Sequence, residues 1–133
     1  MNPKQFLTFG GVVLALVGIL GIIGVLGPTA EISVFGGAWW FDTGENWAHL
    51  ILGIVALVAA FLLKPDMQKP LTLVVGIIAL AVGVIGFFLS DTTPNFIGVT
   101  LQNPLDNILH LAVGAWAVLA WRGAKQDAAM TEM

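Results

Sequence analysis

Asp42-Thr43-Gly44-Glu45-Asn46-Trp47-Ala48-His49-Leu50-Ile51-Leu52-Gly53 decides how this chain is read. Asp is a preferred helix cap, and Glu three residues on can reach back to the cap amide, so the stretch predicts a helix start at Thr43. From Leu50 the chain stays apolar to Leu63, and about 20 mainly apolar residues suffice to cross a bilayer, where no water satisfies backbone groups. The stretch then recurs. Glu45-Asn46-x-x-His49-Leu50-x-x-Gly53 returns as Asp106-Asn107-x-x-His110-Leu111-x-x-Gly114, and Phe35-x-Gly37 as Phe96-x-Gly98, at the same spacing.

Outward from this motif, three further runs meet the spanning criterion. The predicted spans are about 6–27, 43–63, 70–89 and 104–121. A signal-peptide reading of the first run is set aside, because signal cores are only about 7–15 residues long. The first run also has a counterpart: Gly11, Val17-Gly18 and Gly21 reappear as Gly76, Val82-Gly83 and Gly86. The chain therefore reads as one four-helix transmembrane domain over residues 1–133. Repeat 1 covers about 6–63, repeat 2 about 70–122, and a short tail 123–133 is expected to add a helical turn and then fray. Two helices per repeat give both copies the same orientation, so the expected fold is an all-α, pseudo-two-fold bundle of parallel repeats.

Composition agrees. The 133 residues are 58% hydrophobic and 10% charged, against about 25% charged in soluble domains. A net charge of −3 offers no basic surface, so nucleic acid is excluded as a partner. With no cysteine, disulfides, thiolate metal sites and a catalytic thiol are excluded. Lys4, Lys64, Lys69, Arg122 and Lys125 all fall on one side of the predicted spans, while Glu31, Asp42, Glu45, Asp91 and Asp106 fall on the other. The positive-inside rule then puts both termini in the cytoplasm. Trp39, Trp40, Phe41 and Trp47 at the outer end, and Trp121 at the inner end, read as interface anchors. The second copy of the cap is read as Asn103 with Asp106 at N3 and Pro104 at N1. The outer loops, 31–35 and 96–101, are rich enough in β-branched and aromatic residues for a short two-stranded pairing.

His49 and His110 stand seven residues after their caps, about 10 Å down their helices at 1.5 Å per residue. Ionisable residues inside a spanning helix are functional candidates. His49, Gly53, Ala56 and Ala60 share one helical face, as do His110, Gly114 and Ala117, with Asn46 and Asn107 one turn above. The faces read two ways. In the first, the imidazoles with Asn46 and Asn107 form a polar network and the glycines permit close helix approach. In the second, His49 and His110 are axial ligands of a b-type haem or chlorophyll, with Gly53 and Gly114 leaving room for the macrocycle. A pH-sensing or proton-relay role is a third use of the pair. A bundle that binds lipid or a small ligand would show as a cavity between the glycine faces.

No nucleotide loop, nucleophile setting or mid-membrane charge is present, so neither an enzyme nor a transporter is expected. The helix start Asn103-Pro104-Leu105-Asp106-Asn107-Ile108-Leu109-His110-Leu111 resembles a motif of small bacterial four-helix membrane proteins of an uncharacterised family. That resemblance implies a multi-pass protein of the bacterial cytoplasmic (inner) membrane and assigns no activity. The expected partners are the lipid bilayer and other membrane subunits or a second copy of the chain.

Overall fold

The computed structural model describes residues 1–90 and 92–133, and for residues 125–128 the backbone alone. Asp91, read above as an outer-loop charge, lies outside the described residues, as does the side chain of Lys125. Four α-helices succeed one another: α1 (Pro3–Ile22), α2 (Thr43–Leu62), α3 (Pro65–Gly86) and α4 (Leu105–Thr131). A single 3₁₀ turn, Gly36–Ala38, interrupts the first long loop.

Glycines bring the helices together in pairs. Gly11, Gly18 and Gly21 of α1 face Gly53, Leu50 and Asn46 of α2 in descending order, so the two helices run antiparallel. Gly76, Gly83 and Gly86 of α3 face Gly114, Leu111 and Asn107 of α4 in the same way. Small residues permit this close approach where the surrounding medium gives apolar side chains no reason to turn inward. Among the described helix residues the buried set is accordingly made mostly of glycines, alanines and polar residues such as Asn46, Thr72 and Asn107, with Phe6 and Leu7 the large apolar exceptions, whereas Phe9, Val13, Leu16, Val55, Phe61 and Ile77 lie outside. A water-soluble protein has the reverse distribution. α1, α2 and α3 are long and apolar enough to cross a membrane.

The hairpins meet unevenly. α1 touches both α3 and α4. At the end that holds the termini, Phe6, Ala59, Ala60, Ala117 and Ala120 form a shared core, with the Phe6 ring edge-on to Trp116 at 4.8 Å.

Boundaries in three helices differ from the sequence reading, and the first is α1, which spans Pro3–Ile22 and ends short of the expected 27. α3 begins at Pro65, not near Pro70, because Pro65 occupies the first helical position, where its missing N–H is harmless. Pro70 then sits inside the helix, and the carbonyl it leaves unbonded belongs to the exposed Asp66. The turn left between α2 and α3 is closed by buried Gln68, whose Nε2 donates to the carbonyls of Ala59, Ala60 and Leu63 at 3.3, 3.0 and 2.9 Å. Ala59 O also accepts from the Leu63 N–H, so the carbonyls for which Gln68 stands in at the α2 C-terminus are chiefly those of Ala60 and Leu63. At the other extreme, α4 runs on through the tail to Thr131. The run of Ala, Lys, Gln and Met there is rich in strong helix formers.

No strand forms among the described residues, so 31–35 and 96–101 do not pair. The first loop instead folds onto itself: Val34 donates to Val25 O, Phe41 to Leu26 O, and the Ser33 hydroxyl to Trp39 O at 2.7 Å. The second closes on a lone antiparallel bridge, Phe96 with Val99. Ile97 at φ 47° and Gly98 at φ 83° make its two-residue turn. Positive φ at both central residues is the type I′ requirement, and a β-branched residue there is strained.

Candidate functional site

The N-termini of α2 and α4 and the two long loops bring together the polar residues singled out in the sequence. Asp42 caps α2 as expected: its Oδ1 accepts from Glu45 N at 2.9 Å, and Glu45 Oε2 accepts from Asp42 N at 3.0 Å. The start of α4 is built differently. Asp106 Oδ2 accepts from Gln102 N at 2.7 Å, so the reciprocal cap expected from Asn103 is replaced by one reaching back a residue further.

Each carboxylate also holds the opposite half of the chain. Asp106 Oδ1 accepts from the Trp39 indole N–H at 3.0 Å, and Asp42 Oδ2 accepts from Thr100 N at 2.6 Å. The first loop is thereby tied to α4 and the second to α2. Val99 accompanies Thr100 onto the bare face of Gly44, where an added Cβ would come within 2.8 Å of its methyl group. Neither tie was legible in the sequence, since Trp39 read as an interface anchor and Thr100 as loop. Partners 67 and 58 residues apart leave no local pattern.

Asn46 and Asn107 sit one turn deeper, 1% and 0% exposed. A Cβ on Gly21 would collide with the Asn46 amide, and one on Gly86 with the Asn107 amide. Each asparagine therefore fills a notch that only glycine leaves. Asn46 Nδ2 donates to Phe41 O at 3.2 Å, while its Oδ1 and both polar atoms of Asn107 have no partner among the described residues.

The histidines occupy corresponding places with different company. His110 Nδ1 lies 2.7 Å from Asp106 O. His49 Nδ1 has no partner among the described residues, and its ring stands edge-on to buried Phe41 at 4.9 Å. The carboxylates of Glu45 and Asp106 are buried at the two helix starts, 4% and 1% exposed. What lies over Gly53 and Gly114 is the partner helix of each hairpin. Gly53 faces the backbone of Gly11 and Ala15, and Gly114 that of Gly76 and Leu80, so the space each leaves is taken by the other helix of its own hairpin.

Among the described residues no group of three or more His, Asp or Glu is placed to hold a metal ion. Glu31 stays apart from the cluster. Its exposed carboxyl is held below the ordinary value by a backbone hydrogen bond and by the Thr29 hydroxyl. The chain matches no known family, no curated protein and no solved structure.

Proposed function

We propose that this chain is a non-enzymatic integral membrane protein of the bacterial inner membrane. It is a duplicated helical hairpin that works by packing, as a small structural or accessory subunit or as a homo-oligomer. The crossed pair of hydrogen bonds, Trp39 to Asp106 and Thr100 to Asp42, carries this reading. They set the carboxylates of Asp42 and Asp106 to holding the two halves together.

α4 is the fourth span in this account. Asp106, Asn107 and His110 lower its apolar content, yet the first two are buried in the cluster, while Ile108, Leu109 and Leu119 face outward. The end that carries all five basic residues is cytoplasmic by the positive-inside rule, and both termini lie there. This topology agrees with the resemblance to small bacterial four-helix proteins. Because the chain has no cysteine, single cysteines placed at Lys4 and at Glu31 report sidedness without background. In intact cells an impermeant thiol reagent is expected to label the second and spare the first; the opposite pattern would overturn the orientation.

One observation favours haem or chlorophyll as a second reading. With its Nδ1 on the Asp106 carbonyl, His110 is oriented as metal-ligating histidines commonly are. Against it stands the filled space at Gly53 and Gly114. If packing is the role, the purified protein is expected to be colourless. A Soret band lost in both His49→Ala and His110→Ala would put the tetrapyrrole in its place.

A further inference from the structure

A cavity of about 230 Å³ lies between the hairpins, away from the polar cluster. Phe6, Gly10 and Leu14 of α1, Val75 of α3, and Val113 and Trp116 of α4 wall it. Its origin is an asymmetry between the repeats: Gly10 stands where the second copy has Val75, one residue before Gly11 and Gly76. A Cβ at Gly10 would find the Trp116 ring as its nearest neighbour, at a comfortable 3.9 Å. The Phe6 ring, one turn before Gly10 on the same helix, meets Trp116 edge-on.

Nothing in the wall can hold water. The only polar side-chain atom among these six residues is Trp116 Nε1, and it is turned to the Met1 sulfur at 2.6 Å. Apolar cavities of about 150 Å³ stay dry and accept benzene or xenon, so this one is large enough for an apolar guest. Its rim points to the source. Val13, Leu52 and Val55 line the cavity and are 54%, 55% and 54% exposed, all on helices long and apolar enough to cross a membrane. In a bilayer the medium touching that rim is hydrocarbon.

We infer that the cavity is a binding site for a hydrocarbon chain, filled by a methylene segment of a bilayer lipid's acyl tail that enters past Val13 and Val55 and lies against Trp116. This rests on the membrane-spanning reading above. A chain seated there links the spacing of the two hairpins to the surrounding lipid.

The test uses the full chain in phosphatidylcholine vesicles brominated on the acyl chains, with tryptophan fluorescence as the readout. The share of Trp116 is the difference between the wild type and Trp116→Phe. That share is expected to be quenched in the wild type, less so in Gly10→Ala, and least in Gly10→Val, which restores the side chain of the other repeat. Val58→Leu, on an outward face away from the cavity, is expected to leave it unchanged. Quenching of Trp116 that is the same in wild type, Gly10→Ala and Gly10→Val would overturn the inference while leaving the membrane reading intact. A chain in which no tryptophan is quenched would overturn both. Gly10→Ala keeps the test valid even if Gly10→Val misfolds, because its methyl group has room.

Discussion

In the α1/α2 hairpin the Asn46 amide rests on Gly21 and donates to the Phe41 carbonyl; in the α3/α4 hairpin the Asn107 amide rests on Gly86 and bonds to nothing described. The notch is the same and the hydrogen bonding is not. His49 and His110 differ likewise, one packed on a phenyl ring and the other on a helix carbonyl, and so do the two caps. Steric complementarity between glycine and asparagine is thus what the halves share. The polar contacts around it have been fitted separately to two loops of different shape.

The shared feature gives the largest expected effect. Gly→Ala inside a helix normally gains about 1 kcal/mol of propensity. At Gly21 and Gly86 the added methyl meets a buried amide, so Gly21→Ala and Gly86→Ala should each lose about 1–3 kcal/mol net, read by unfolding in a mild detergent. Equal losses in the two hairpins would sharpen the comparison, and a gain at either position would break it.

The caps come next. Asp42→Ala removes the α2 cap and the tie to Thr100, for a loss of roughly 2 kcal/mol. Asp106→Asn should cost less in the same assay, because it keeps the shape and one of the two acceptor oxygens that hold Trp39 and Gln102. A larger loss for Asp106→Asn would mean that the one bond the new amide forfeits outweighs the cap and tie at Asp42.

Smaller still is the difference between the asparagines. Asn46→Ala forfeits a hydrogen bond that Asn107→Ala does not, so the first is expected to be the more destabilising by about 1 kcal/mol. Ile97→Asn is expected to go the other way. The residue is 89% exposed and holds a positive φ, a strain worth about 1 kcal/mol that asparagine tolerates, so the second loop should be stabilised with no packing lost.

Helix number and pairing were legible in the sequence, because apolar run length and a repeated motif are local signals. The start of α3 was not. Pro65 and Pro70 both satisfy the preference for proline near a helix N-terminus, and only Gln68, reaching back to three carbonyls of α2, fixes the earlier one. In the site, the residues were found and their roles were not. Gly53 and Gly114 read as space beside the histidines, yet on a helix the same face that carries His49 also borders α1, and the backbone of α1 fills the gap. Trp39 carried an interface signal from its type alone, which concealed an indole N–H bound to a carboxylate in the other half.

The central claim is that each half is its own glycine–asparagine lock, and a double-mutant cycle tests it most directly. Unfolding free energies would be measured for Gly21→Ala, Asn46→Ala and their double, for Gly86→Ala, Asn107→Ala and their double, and for the crossed pair Gly21→Ala with Asn107→Ala. Two separate locks predict that Asn46→Ala relieves the clash at Gly21, and Asn107→Ala the clash at Gly86, so that both within-hairpin doubles are more stable than the sum of their singles while the crossed pair is additive. Additivity within the hairpins, or relief across them, would contradict it.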